Sequence, residues 1–355
     1  MNILSLFDGM SCARIALDRA NIPVTNYYAS EIDKYAIKVS QANYPDTIQL
    51  GDVHDISFKE GEIDLLVGGS PCQGFSFAGR QLNFADPRSK LFFEYVRILK
   101  ECKPKYFLLE NVRMKQEYQD VISDALGVKP IAINSRLMSA QNRQRLYWTN
   151  IPNVIQPDDK GIVLQDILED GFTDRDKAHC VDANYFKGGN LKSYFTKHRR
   201  QLVFSDEGLC HVGDADLKGH GYNKRVYHPE GKAPSLCAAS GGNLEPKVLC
   251  GAWRGRYTVD GVRQDHKHKV AGMTEQRLEV RMDGKTNSLT TVQKDNVAVD
   301  ISELQWRKLT PLECERLQTL PDNYTNHVSN TQRYKMLGNG FTVDVIAHIM
   351  KGIEK

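Results

Sequence analysis

Short apolar runs alternate with helical patterns over the first 150 residues, and glycines or carboxylates stand at the ends of the runs. Asn2–Phe7 (NILSLF) leads into an Asp8-Gly9 turn and a helical stretch over Ser11–Ala20. Tyr27–Ser30 precedes a helix around Lys34–Ala42, and a further short strand precedes Gly51-Asp52. Ile63–Gly69 (IDLLVGG) and Tyr106–Asn111 (YFLLEN) flank a helix over Leu91–Lys100 that places Leu91, Tyr95, Ile98 and Leu99 on one face. Runs this apolar are buried on both sides, and strands joined through helices run parallel. The pattern therefore predicts an α/β fold, a mostly parallel sheet with helices on both faces. Ligands of such sheets sit beyond the C-terminal ends of the strands. Asp8, Glu31, Asp52, Cys72 and Glu110 all fall there.

The texture changes after Asp158. Residues 171–300 hold 15 of the 27 glycines and 7 of the 10 histidines, with no long helical periodicity, so a smaller strand- and loop-rich domain is expected. The same stretch carries 21 Lys and Arg against 16 Asp and Glu, and its excess of +5 leaves −2 for the rest of a chain whose net charge is +3. It also repeats: Gly231-Lys232-x-x-Ser235-Leu236 returns 53 residues on as Gly284-Lys285-x-x-Ser288-Leu289, and the Gly-Gly-Asn at 188–190 returns at 241–243. A duplicated hairpin explains this as well as a reading device does. Helical pattern resumes at Thr310–Thr319 and Phe341–Met350. The expected division is one domain over 1–160 completed by 305–355, and a second over 161–304. No apolar run reaches 18 residues, and the N-terminus lacks a basic stretch followed by a long apolar one, so neither a membrane span nor a secretion signal is expected. Without a secretion signal the compartment is expected to be reducing and the eight cysteines free, and as none forms a C-x-x-C pair neither a zinc ribbon nor a thioredoxin-type site is expected.

Four segments carry candidate chemistry. Gly69-Ser70-Pro71-Cys72-Gln73-Gly74 follows a strand and gives a cysteine in a glycine-bounded turn stiffened by proline, the setting of an exposed nucleophile. Leu109-Glu110-Asn111-Val112 ends the next strand with a carboxylate suited to acid chemistry or to reading a base edge; a salt-bridged structural Glu reads the same way. In Gln141-Asn142-Arg143-Gln144-Arg145, alternation puts Gln141, Arg143 and Arg145 on one face, suited to an anionic or carbonyl-bearing substrate; a solvated basic edge strand is the bland reading. Last, the tight turn Phe7-Asp8-Gly9-Met10, with Glu31 and Asp52 ending the following strands, suits a nucleoside with a ribose diol and an exocyclic amine. From Gly9 the chain reads GMSCAR, without the later glycines of a diphosphate cradle, so a cofactor lacking phosphates is favoured.

In this order the motifs resemble the DNA (cytosine-5)-methyltransferases of bacterial or phage type, which use S-adenosylmethionine. The resemblance runs from FDGMS through Ser30-Glu31-Ile32-Asp33, Gly51-Asp52-Val53, the Pro-Cys loop, the Glu-Asn-Val tripeptide and Gln-x-Arg-x-Arg to Leu309–Gln318 and Leu337-Gly338-Asn339-Gly340, leaving out the middle region. It implies a Rossmann-like catalytic domain and a target recognition domain. It places the nucleophile that attacks C6 of cytosine at Cys72, set by Pro71, and the group that contacts N3 at Glu110; Gln141, Arg143 and Arg145 support the loop and the base. Cofactor contacts fall on Phe7, Asp8, Gly9, Met10, Glu31, Ile32, Asp52, Val53 and Asn339, with S-adenosylhomocysteine as product and no metal. Two positions depart from the family's habit: Ser11-Cys12 where a second glycine is frequent, and Gly340-Phe341 where a small residue and a valine often follow the asparagine.

The chemistry agrees with the residues. Thiolate addition at C6 makes C5 nucleophilic, a hydrogen bond at N3 drains charge from the ring, and a base inside a duplex must first be flipped out. The basic middle region then contacts phosphates and base edges of double-stranded DNA, with Lys197, Arg199, Arg200, Arg254, Arg256 and Arg263 as candidates. The expected protein is a monomeric, cytoplasmic, DNA-associated enzyme of a bacterium or phage-infected cell, such as belongs to a restriction-modification system. Two alternatives are an RNA (tRNA) cytosine-5 methyltransferase, disfavoured by the large middle region, and an inactive DNA-binding relative, disfavoured by intact Cys72, Glu110 and Arg143. A nicotinamide oxidoreductase is disfavoured by the missing glycines.

Overall fold

The computed structural model describes residues 1–70, 87–189, 194, 199–205 and 305–354, together with the backbone of strands at 211–214, 225–227, 250–259, 262–263, 274–280 and 296–298. The chain divides into two compact units. The first comprises Met1–Ile162, His179–Lys187 and Thr310–Lys355, and the second Val163–Ala178 and Gly188–Leu309. His179–Lys187 thus belongs with the first unit although it lies inside the glycine-rich stretch.

The first unit is built on a seven-stranded sheet. Its strands are β1 (Asn2–Leu6), β2 (Asn26–Ser30), β3 (Ile48–Gln49), β4 (Leu65–Gly68), β5 (Tyr106–Val112), β6 (Ile131–Asn134) and, after a two-residue strand β7 (Gln141–Asn142), β8 (Gln144–Thr149). The order is β3-β2-β1-β4-β5-β8-β6. β1 to β5 are parallel, and β8 runs antiparallel to both neighbours. β4 is buried at every residue, as its LLVG composition requires. The helices are α1 (Cys12–Arg19), α2 (Lys34–Asn43), α3 (Pro87–Cys102), α4 (Gln116–Leu126), α5 (Pro311–Leu317), α6 (Asn330–Asn339) and α7 (Val343–Met350). From β1 the chain steps outward to β2 and β3, then returns to the other side of β1 at β4. Right-handed crossovers in opposite directions put α1 and α2 on one face and α3 on the other. Phe92, Tyr95 and Ile98 of α3 and Tyr118 and Ile122 of α4 share one core with Leu4, Leu66, Leu109 and Trp148, while α7 packs against α1.

The late helices are tied by polar groups whose partners lie inside the unit. Thr310 and Glu313 form a reciprocal capping box, Thr310 Oγ1 accepting from Glu313 N at 3.1 Å and Glu313 Oε2 accepting from Thr310 N at 2.8 Å. Fully buried Glu315 accepts from Arg333 Nη2 at 2.9 Å and from Asn323 N at 2.7 Å, which fastens α5 to α6.

The second unit holds antiparallel pairs. Leu202–Ser205 pairs with Gln305–Lys308, and Cys250–Val259 lies against Thr274–Val280, Val262–Arg263 and Asn296–Ala298. A buried set, Asp174, Arg175, Tyr194 and Gln201, sits beside Leu202 and Phe204; Arg175 Nη2 meets Asp174 Oδ2 at 2.7 Å, and Tyr194 donates to the same carboxylate. The repeated segments at 231–243 and 284–295 lie outside the described residues.

Candidate active site

Because the strand order reverses between β1 and β4, neighbouring crossovers leave a crevice beyond their C-terminal ends. Asp8, Glu31 and Asp52 follow β1, β2 and β3, and Glu110 lies within β5, two residues before its end; Pro71, Cys72 and Lys197 lie outside the described residues.

The turn after β1 takes left-handed backbone at Phe7 (φ 56°), Gly9 (φ 60°) and Ser11 (φ 62°). Glu31, directly after β2, braces this turn: its Oε2 accepts from Gly9 N at 2.8 Å, and its Oε1 accepts from Ile32 N and Asp33 N at 2.8 Å each. Ile32 is 74% exposed beside it, an apolar surface of the kind a flat ring covers. Asp52 caps the turn that contains buried Val53; its Oδ1 accepts from His54 N at 3.0 Å and meets His54 Nδ1 at 2.6 Å. These bonds to His54 hold the Asp52 carboxyl below its ordinary range, and the bond back raises His54. Arg97 of α3 donates to the carbonyls of Val53 (3.1 Å) and Ile56 (2.9 Å), fixing the turn from behind.

Asp8 faces inward. It is 8% exposed and accepts from Ser11 Oγ and Tyr27 OH, both at 2.6 Å, while Ser11 Oγ also meets Ser40 Oγ at 2.6 Å. Burial pushes its pKa up to about 6 despite these donors. Ser11, the residue that replaces a glycine, is held in its left-handed conformation by two buried bonds. Met10 is buried, and its carbonyl accepts from Tyr324 OH at 2.7 Å.

On the other side of the crevice, Glu110 and Arg145 face each other. In the antiparallel pairing of β5 and β8, Glu110 stands opposite Tyr147 and Val112 opposite Arg145. Glu110 and Arg145 are therefore diagonal neighbours on one face. Arg145 Nε lies 2.9 Å from Glu110 Oε1, with both side chains largely buried. Asn111 Nδ2 donates to Ser70 Oγ at 3.2 Å, which binds the end of β5 to the residue before Pro71. A Cβ on Gly69 would stand 2.8 Å from Phe341 Cε1 and 3.4 Å from Glu110 Oε2, so a residue without a side chain is needed for this approach.

Gln141 and Arg143 lead elsewhere. Gln141 Nε2 donates to Leu317 O at 2.8 Å and to Gln318 Oε1 at 3.0 Å. Arg143, 2% exposed, donates to the carbonyls of Val181 (3.1 Å), Gly338 (3.2 Å) and Gly340 (3.0 Å), and so brackets exposed Asn339. A Cβ on Gly340 would be 2.8 Å from Met10 Cε, which places this turn against the one after β1. The Gln-x-Arg-x-Arg segment is thus no solvated edge: β8 is flanked on both sides, and the segment joins Glu110, through Arg145, to the tail, through Gln141 and Arg143.

Tyr27, Ser40, Arg97 and Cys180 carry no sequence signal of their place in the site. The departure from glycine at Ser11 is the one local sign of the network around Asp8, as the departure at Gly340-Phe341 is of the approach to Gly69. Arg199 and Arg200 lie in the second unit, where Arg200 Nη1 donates to Gly188 O at 2.5 Å. Among the described residues, no three His, Cys, Asp or Glu side chains are grouped to hold a metal, and no helix is long and apolar enough to cross a membrane.

A family model described as C-5 cytosine-specific DNA methylase matches residues 1–355. An orphan methyltransferase of Bacillus phage SPR, M.SPRI, is 30% identical, over 99% of this chain and 97% of its own. The type II methyltransferase M.HhaI of Haemophilus parahaemolyticus is 26% identical over 99% and 94%. Among solved structures, the Entamoeba histolytica methyltransferase EhMeth superposes with a TM-score of 0.58 at 17% identity, covering 99% of this chain and 97% of that one. At that identity the likeness concerns the fold.

Proposed function

The chain belongs to the C-5 cytosine-specific DNA methylase family, and on that footing we propose that this DNA cytosine-5 methyltransferase acts on a cytosine flipped out of double-stranded DNA, with Cys72 as nucleophile and Glu110 at N3. The observation that carries the proposal is Glu110. It is paired with Arg145, and its Oε2 lies 3.4 Å from the Cβ position of Gly69, three residues before Cys72. A carboxyl group there suits the Watson–Crick edge of a pyrimidine.

The donor set on the other side fits S-adenosylmethionine. Glu31 lies at the end of β2 where a ribose diol is bound in such sheets, Ile32 offers an exposed apolar surface to a ring, and the Asp52 carboxylate and Val53 backbone suit an adenine edge. Asn339 and the Phe7–Met10 turn line the remainder. Asp8, turned inward, contributes through its backbone. When bound, the cofactor supplies an electrophilic methyl group on a sulfonium.

The protein's own groups then do the following. The Cys72 thiolate adds to C6 and breaks the ring's aromaticity, which makes C5 enamine-like. Glu110 gives its proton to N3, which neutralises the negative charge that thiolate addition puts on the ring, and Arg145 pairs with the carboxylate left behind. Once C5 carries the methyl group, a solvent water takes the C5 proton, the thiolate leaves C6 and the N3 proton returns to Glu110, which restores the ring and frees Cys72. The basic second unit holds phosphates and reads base edges, and the protein acts as a monomer.

Tritium transfer from labelled S-adenosylmethionine to poly(dI-dC), compared with tRNA, tests the substrate. Label is expected in the DNA polymer, and label confined to tRNA would reverse the assignment. Cys72→Ser is expected to abolish transfer while retaining S-adenosylhomocysteine binding, and DNA with 5-fluorocytosine at the target base to be trapped covalently. Turnover by the Ser variant would remove the proposed nucleophile.

A further inference from the structure

Cys180 lies beside the base site and has no part in the reaction above. Arg143 Nη1 donates to its sulfur at 3.3 Å and Arg145 Nη2 at 3.9 Å. One guanidinium brackets Asn339 through the carbonyls of Gly338 and Gly340, and the other is paired with Glu110. A single sulfur therefore stands between the group that sets the cofactor-side turn and the group that sets the proposed N3 contact.

The backbone that carries this sulfur is fixed without it. Val181 O accepts from Arg143 at 3.1 Å, the rings of Tyr185 and Tyr334 lie 5.6 Å apart, and a Cβ on Gly338 would stand 2.2 Å from the carbonyl carbon of Asp182. The thiol is thus presented to the arginines by a segment that packs through other contacts. Burial works against its ionisation, but the charges and hydrogen bonds of Arg143 and Arg145 outweigh it, and the thiol's pKa falls below the ordinary value. Among the described residues the charged groups acting on it are these two arginines; Glu110 and Tyr147 lie beyond them, Cys12 faces Arg143, and His179 and Asp182 stand on its own segment.

We propose that Cys180 is a positioning residue for methyl transfer: its sulfur steadies the Arg145 guanidinium on Glu110 and, through Arg143, joins that pair to the Asn339 turn. This rests on the role given to Glu110 above. A charge-assisted contact to one donor of a guanidinium restrains the plane of the whole group, and small displacements at a reacting centre are costly in rate.

Single-turnover methyl transfer by the full chain tests it, with melting temperature and S-adenosylhomocysteine affinity measured alongside. Cys180→Ala is expected to lower the rate constant about tenfold, a loss typical of a sub-ångström misplacement, with KM for the cofactor and the melting temperature little changed. Cys180→Ser, which keeps an acceptor of similar size, is expected to recover most of that rate. A wild-type rate in the Ala variant, or equal losses in both variants in step with lost thermal stability, overturns the proposal. No transfer to DNA by the wild-type chain would instead overturn the functional reading. Iodoacetamide labelling of Cys180 across pH, read by mass spectrometry, follows the pairing apart from turnover. Half-labelling is expected at lower pH than for an ordinary thiol and at higher pH in Arg145→Lys; an ordinary profile overturns the pairing.

Discussion

Asp8 and Glu110 are both strand-end carboxylates, and their surroundings give them different work. Asp8 is enclosed by hydroxyl donors and is not readily ionised, its pKa pushed up to about 6 from 3.8. Below about pH 4 it is protonated both folded and unfolded. As pH rises the unfolded chain ionises first, so stability falls between about 4 and 6, by up to about 3 kcal/mol at neutral pH. Asp8→Asn removes this dependence. In urea unfolding, the stability of wild type relative to the Asn variant is expected to decline over that window, and curves that stay parallel would show that Asp8 does not titrate as described. Glu110, equally buried, is instead paired with the Arg145 guanidinium. Glu110→Gln leaves a partner for Arg145 but removes the acid. A fall in rate of about 10²-fold or more is expected from single-turnover assays, without loss of S-adenosylhomocysteine affinity, because proton-transfer catalysis contributes on that scale. Weakened cofactor binding with an unchanged rate would put Glu110 on the wrong side of the crevice.

At the scale of elements, the reversed strand β8 does what the parallel strands cannot. Running antiparallel to β5, it brings Arg145 diagonally across from Glu110, while the residues just before it reach α5, α6 and the Gly338–Gly340 turn. The polar alternation of Gln141, Arg143 and Arg145 reads equally as a solvated edge, so it does not reveal that the strand is interior. His179–Lys187 depends on a similar close approach, since Gly338 leaves no room for a side chain against the backbone at Asp182 and Ala183. Gly338→Ala must therefore displace backbone rather than a flexible side chain. A cost of about 1–3 kcal/mol is expected, seen as a lower melting temperature, together with weaker S-adenosylhomocysteine binding as the Asn339 turn shifts. An unchanged melting temperature would mean that the segment does not pack there.

At the scale of the molecule, the positive excess in residues 171–300 predicts how DNA affinity responds to salt. If Lys197, Arg199, Arg200, Arg254, Arg256 and Arg263 each neutralise one phosphate, log K against log salt has a slope of about −5. A slope near zero in fluorescence anisotropy titrations would remove the phosphate-binding role of this region. Most of the sheet, the helices and the order of the motifs could be read from the sequence, because burial imposes a period on each segment and turn chemistry marks its ends. Both are local. The same holds for the carboxylates at the strand ends and for the family they resemble. Only tertiary structure decided which carboxylate faces the crevice and which turns inward, that β8 lies inside the sheet, and that Cys180 meets two arginines. Those outcomes depend on register and packing between residues about 20 to 200 positions apart, such as Tyr27 with Asp8, Cys180 with Arg143 or Arg143 with Gly338. A local pattern states what a residue can pair with, and the fold selects the partner.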